Sequence, residues 1–204
     1  MPRGPRLYLP ELPYHVICRG NNRNWVFLDD EDFETYFDII CRYHNKDGFH
    51  LHHWVLMNNH IHLLITPGQT RPLAKSMQSI NLAYSIWHAR KYQRVGHLWQ
   101  GRFRSIPIEQ DTYLLECGRY IERNPIRAGL TDDPAKYRWT SYPVYVEEKQ
   151  DGLTEPHVLY FASSNDPIRR KQLYRDYVET DREREEKELQ EKMKSGFLGS
   201  DLFQ

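Results

Sequence analysis

The sequence predicts an α+β sandwich built on an antiparallel sheet, followed by a helical extension. Three observations carry this. Residues 14–19 (Tyr-His-Val-Ile-Cys-Arg) alternate as a strand, and a second extended region from about 49 to 66 reads as a hairpin. Between and after these, Phe33, Phe37, Ile40 and Tyr43, then Leu73, Met77, Ile80 and Tyr84, recur at helical spacing. No internal repeat is present, and few helices with alternating strands favour helices packed on an antiparallel sheet. A chain of 204 residues is long enough for one buried domain plus an appendage. A composition change after Glu147 divides it into a domain at 1–146 and a C-terminal extension, a charged helix and tail, at 147–204.

Each element has its own signal. The strand at 14–19 ends in Gly20-Asn21-Asn22, a turn cluster. Asp29 to Asp32 supply N-cap and first-turn carboxylates for the helix that follows. Asn58-Asn59, between Trp54-Val55-Leu56-Met57 and the next strand, offer the positive φ angles of a tight hairpin turn, and Pro67-Gly68 close the unit. The second helix runs from Leu73 to about Tyr92, and residues 96–108 read as loop and strand. Asp111 or Thr112 caps a third helix, which Pro125 stops just after Asn124. Asp166-Pro167 opens another helix. The run 181–194 is almost wholly charged, the pattern of a solvated helix or frayed tail.

Composition narrows the function. No apolar run approaches the roughly 20 residues of a membrane span, and the first six residues lack the apolar region of a signal peptide. Cys18, Cys41 and Cys117 are odd in number and widely spaced, which predicts reduced thiols in a cytoplasm. The net charge of zero hides a division: between Gly48 and Ile108 there is no Asp or Glu, while acid gathers at 29–32 and 179–191. So long an acid-free stretch suits a polyanion. Within it Trp87, Tyr92, Trp99 and Phe103 interleave with Arg90, Lys91, Arg94, Arg102 and Arg104, as bases stacking on aromatics and phosphates meeting cations require. Arg3 and Arg6 in a Pro-punctuated arm, and Arg19, Asn21 and Arg23 at a strand end, complete the expected DNA contacts.

Two histidines share a face. Side chains alternate along a strand, so His60 and His62 point together and Ile61 points away. They read either as a metal pair or as core histidines satisfied by polar neighbours. On the third helix Tyr120 and Asn124 are one turn apart and face alike. A phenol attacks weakly while protonated, so a nucleophilic tyrosine needs a metal or base beside it. A carboxamide one turn on offers its oxygen to the same hard cation. The bland alternative is a core aromatic and a helix end.

Taken in order, the motifs resemble a known family. These are Pro13-Tyr14-His15-Val16 with Arg19-Gly20-Asn21, then residues 55–64, Gly101-Arg102-Phe103-Arg104-Ser105, Arg119-Tyr120 through Leu130, and Tyr137 through Tyr142. The series resembles the REP-associated tyrosine transposases, the domesticated branch of the single-tyrosine HUH transposases. The resemblance implies a ferredoxin-like sandwich with a central antiparallel sheet. It implies that His60 and His62 bind Mg²⁺ or Mn²⁺ with Asn124, and that Tyr120 is the nucleophile. It further implies a single-stranded or hairpin DNA substrate, cut and rejoined through a 5′-phosphotyrosine link, in a cytoplasmic, nucleoid-associated protein acting as homodimer or monomer. No Gly-x-x-x-x-Gly-Lys-Ser/Thr loop for ATP is present, as a phosphodiester exchange allows. Two other readings stand beside this one. The first is a non-cleaving hairpin-binding regulator. The second is a zinc hydrolase or zinc-stabilised module drawing on Cys41, His44, His50, His52 or His53.

Overall fold

The computed structural model describes residues 12–109, 111–147, 149–180, 182–196 and 198. Strand β1 (Tyr14–Arg19) leads through a tight turn at Asn21–Arg23 into helix α1 (Asp30–Asp47). The hairpin β2 (His50–Met57) and β3 (His60–Thr66) follows, then α2 (Leu73–Tyr92) and the short strand β4 (Arg104–Pro107). Helix α3 (Asp111–Glu122) continues into a single turn, α4 (Asn124–Arg127). Two short helices, α5 (Tyr142–Val146) and α6 (Val158–Ala162), precede α7 (Pro167–Glu179) and α8 (Glu183–Ser195). The strands form one antiparallel sheet in the order β2-β3-β1-β4, the predicted α+β sandwich.

Alternation sorts the sheet into two faces. Tyr14, Val16, Cys18, Trp54, Leu56, Ile61, Leu63 and Ile65 pack with α1 and α2 around Tyr36, Ile40, Met77, Ile80 and Tyr84. On the other face Val55, Met57, Leu64 and Ile106 pack under α3 and α8, against Leu114, Cys117, Ile121, Leu189 and Met193. α1 starts at the acidic run as expected. Asp29 accepts from the Asp32 amide at 3.1 Å, the Asp32 carboxylate accepts from the Asp29 amide at 3.3 Å, and Gly48 ends the helix at φ 68°.

Three details depart from the sequence reading. Pro125 does not stop the helical path: α3 ends at Glu122, and Pro125 sits in the first turn of α4, where its missing N–H is no cost, so the chain stays helical to Arg127. Neither Asn58 nor Asn59 takes a positive φ. The loop after β1 holds the turn from outside instead: Asn58 O accepts from the amides of Val26 (2.7 Å) and Phe27 (3.1 Å), and Asn59 O from Gly20 (2.8 Å). The charged run is a helix, as one of the two readings had it, but it is not solvated all round. In α8, Glu186, Leu189 and Met193 are buried, and the helix roofs the second face of the sheet.

What fixes α3 on that face is a close approach and a buried carboxylate. A Cβ on Gly118 would lie 2.5 Å from His53 Nε2, so only glycine allows α3 to sit directly on β2. One turn on, the Glu122 carboxylate takes His53 Nδ1 (2.9 Å), Ser141 Oγ (3.0 Å) and Tyr174 Oη (2.6 Å), tying α3 to β2, α7 and the residue before α5. A buried carboxyl group satisfied on three sides sets the helix's depth and rotation, and thereby what its C-terminal end presents.

Candidate active site

The register of the sheet assembles the site. Ile17 lies opposite His62 and Arg19 opposite His60, so β1 contributes His15 and Arg19 to the same face. His15 Nε2 lies 2.7 Å from His62 Nδ1, with the rings stacked at 4.9 Å, and the His60 and His62 rings stand edge to face at 5.0 Å. α3 brings Tyr120 over this row, its ring 6.0 Å from that of His15 and 5.9 Å from that of His62, both edge-on. One turn on, Asn124 Nδ2 donates to the carbonyls of Tyr120 (3.1 Å) and Ile121 (3.3 Å), which leaves the amide oxygen toward His60. His60, His62, Tyr120 and Asn124, picked out separately in the sequence, are therefore neighbours.

The imidazoles are held neutral. Burial, reinforced by Arg104 and Arg127, lowers the pKa of His15 to about 3. Burial, with Arg19 and Arg127 adding and the Asn124 hydrogen bond opposing, lowers that of His60 to about 4. His62 is pushed well below its ordinary value by burial, then by His15, His60 and the same arginines. Neutral rings keep a lone pair for a cation at physiological pH. His60 Nδ1 lies 2.6 Å from Asn59 Oδ1, an orientation that the Asn59 amide fixes by donating to Arg23 O (3.2 Å). Both partners of His60 thus present oxygen acceptors, whereas a neutral imidazole has one N–H. A cation shared between one ring nitrogen and the Asn124 oxygen removes that mismatch. Among the described residues no group of three or more His, Cys, Asp or Glu is arranged to hold a metal. The donors that converge beside Tyr120 are two imidazoles and the carboxamide of Asn124, a set that would suit a hard divalent cation.

Arg127, one further turn beyond Asn124, covers the outer face of the phenol. Its guanidinium lies 3.9 Å from the Tyr120 ring centroid, and it donates to Tyr120 O at 2.5 Å. From α8, Glu186 receives Arg119 (2.7 Å), Arg123 (2.7 Å) and Arg127 (3.1 Å). One carboxylate among three guanidiniums leaves the surroundings of the phenol cationic.

The predicted DNA-facing residues divide. Arg19, Arg23, Arg90, Arg94 and Arg102 are exposed and have no carboxylate partner among the described residues, and Asn21 is half-exposed. Others are engaged inside the protein. Lys91 is gripped by Asp29 (2.7 Å), Glu31 (2.8 Å) and Asp32 (2.9 Å), because the acidic run that caps α1 faces the end of α2. Arg104 donates to Met193 O. Trp99 is half-buried beside Tyr36 and Tyr84 and donates to Asn81 O at 3.2 Å, and Phe103 is core. Arg3 and Arg6 lie outside the described residues. The residues of the zinc reading have protein partners instead: His44 and His50 converge on the Glu155 carboxylate at 2.7 and 2.6 Å, His52 meets Glu155 O at 2.8 Å, His53 binds Glu122, and burial raises the Cys41 thiol to about 11. His15 and Arg127 stand in the motifs quoted above without a site role, and Glu186 stands in the charged run. The first was legible as an inward position of β1, but only the pairing register sets it against His62.

The profile of the family described as "Transposase IS200 like" matches residues 8–124, more than half of the chain. The chain belongs to the IS200-like transposase family. No curated protein matches this transposase. Among solved structures, a REP-associated tyrosine transposase bound to a REP hairpin is similar at 18% identity with a TM-score of 0.61, over 76% of this chain and 89% of that one. A candidate transposase from Deinococcus radiodurans matches at 19% identity and a TM-score of 0.42, over 63% and 95%. The first shares the transposase's α+β architecture. Among the described residues no helix is long and apolar enough to cross a membrane.

Proposed function

We propose that this transposase is a single-strand endonuclease and strand transferase that cuts beside hairpin DNA in the cytoplasm, through a 5′-phosphotyrosine intermediate on Tyr120. The observation that carries the reading is the half-exposed Tyr120 ring, edge-on to the buried His15–His62 pair, with Asn124 directed at His60 one turn on. The solved relative of the same architecture holds a REP hairpin, which supports the substrate class.

His60, His62 and Asn124 would hold Mg²⁺ or Mn²⁺, which supplies Lewis-acid polarisation of the scissile phosphate. The Tyr120 oxygen attacks phosphorus and the bond to the 3′-oxygen breaks. The proton lost by the phenol is balanced by the one gained at the leaving 3′-hydroxyl. Arg127 holds the phenol ring in place and, with Arg119 and Arg123, makes the approach favourable to a phosphate. Arg19, beside His60, and the exposed arginines of α2 and the following loop would track the backbone. Attack by a 3′-hydroxyl on the tyrosyl phosphodiester reverses the step without a nucleotide cofactor.

The test is incubation with labelled hairpins flanking the gene, followed by a denaturing gel. A protein-linked strand is expected with Mg²⁺ or Mn²⁺, and none with chelator or with Tyr120→Phe, while hairpin binding persists in both. An adduct formed by Tyr120→Phe would dismiss the assignment. Binding with no adduct under any condition would leave a regulator that does not cut.

A further inference from the structure

A cavity of about 150 Å³ opens beyond the C-terminal end of β1, between the 20–25 segment, the C-terminal half of α2 and the loop after it. The histidine cluster does not line it. Its walls combine chemistries that the protein's own fold leaves unused. Trp25 is 56% exposed, unusual for so large an aromatic flanked by buried Val26. His88 is 2% exposed, yet its Nε2 has no hydrogen-bond partner. The side-chain amides of Asn21 and Asn24 have no partner among the described residues. Arg94 sits at the rim and no carboxylate lines the space.

We propose that this cavity takes one unpaired nucleobase of the DNA strand flanking the hairpin, with Trp25 against its face and Asn21, Asn24 and His88 at its edge. The inference rests on the reading of this protein as a single-strand DNA enzyme. Size limits the guest: the volume is below the roughly 300–1,000 Å³ of drug-sized ligand pockets and suits a single ring system. Chemistry limits it further. An aromatic platform with amide donors and acceptors matches a base's π-face and polar edge, and Arg94 matches its phosphate. The wall is preformed. Gly20 O accepts from the Arg23 amide (3.0 Å), and Asn22 and Arg23 hold φ of 52° and 59°. The same segment grips the site from behind, through Gly20 N to Asn59 O (2.8 Å) and Asn59 Nδ2 to Arg23 O (3.2 Å). Asn59 in turn orients His60. A base seated in the cavity therefore braces the strand that carries the histidines.

The test uses full-length Tyr120→Phe protein, without divalent metal, and hairpin oligonucleotides with native flanks in which each flanking base is replaced by an abasic site. One position is expected to lose about ten-fold or more in affinity, the scale of a stacking contact. Trp25→Ala is expected to lose as much on the intact strand and nothing further at that abasic position. A flat scan with binding intact overturns the cavity assignment alone, as do additive effects of Trp25→Ala and the abasic site. Failure to bind any of the oligonucleotides overturns both this inference and the DNA-processing reading.

Discussion

Replacing His15 by phenylalanine isolates what the third histidine does. For His62 to present its Nε2 lone pair to a metal, its proton must sit on Nδ1, and the acceptor that holds it there is His15 Nε2 at 2.7 Å. Phenylalanine keeps the ring's volume at this fully buried position and removes the acceptor. Loss of such an outer partner weakens metal binding by about 10–100-fold, or about 1.4–2.7 kcal/mol. Stability without metal should change less. The orphaned His62 Nδ1 costs about 1–3 kcal/mol, partly offset because His15 Nδ1, itself buried without a partner, disappears with the substitution. Mn²⁺ titration followed by electron paramagnetic resonance measures the first quantity, and urea unfolding of metal-free protein the second. His15→Gln, whose Oε1 falls near the position of Nε2, should recover most of the affinity. If His15→Phe bound Mn²⁺ as tightly as the parent, the tautomer argument would be wrong and His15 would be a packing residue.

Other expectations follow from single contacts. Gly118→Ala puts a methyl 2.5 Å from His53 Nε2 and should cost about 1–3 kcal/mol in unfolding free energy while lowering adduct formation, since α3 must lift off β2. An adduct yield equal to the parent's would mean that the helix position is unimportant. Glu186→Ala leaves the nearly buried Arg119 unpaired and should cost about 3–5 kcal/mol, read by thermal or urea melts; a cost under about 1 kcal/mol would show the cluster to be solvated. His52 is buried between Thr66 and Glu155 O, and burial lowers its pKa to about 4. The unfolded chain then takes up the proton first, so its contribution to stability is lost as pH falls from about 6.5 toward 4, at about 1.4 kcal/mol per unit. His52→Gln should flatten the pH dependence of the urea midpoint by that amount, and an unchanged slope would refute it.

The sandwich, the bounds of α2 and the two pairs of site residues were legible because alternation and the three-and-four rule are local signals; that the pairs meet was implied only by the family resemblance. Tyr120 and Asn124 needed only helix geometry, and His60 and His62 only a strand. What stayed hidden was set by contacts between distant segments. Lys91 belongs by sequence to a basic stretch, and only the packing of α2 on α1 delivers it to Asp29 and Asp32. Residues 183–195 look solvated by composition. Their few apolar positions, Leu189 and Met193, are enough to seat the helix once Glu186 finds arginines on α3 and α4. His15 and Trp25 have ordinary neighbours in the sequence, and their interest comes from strand register and from a cavity wall.

The Asn58-Asn59 corner has a practical consequence. With no left-handed residue of its own, it is not a self-sufficient bend; its carbonyl groups lean on amides borrowed from Gly20, Val26 and Phe27. A synthetic peptide covering 50–66 would lack those props and choose a different corner. Transplanting the two-histidine ribbon into another scaffold would therefore require carrying residues 20–27 along with it.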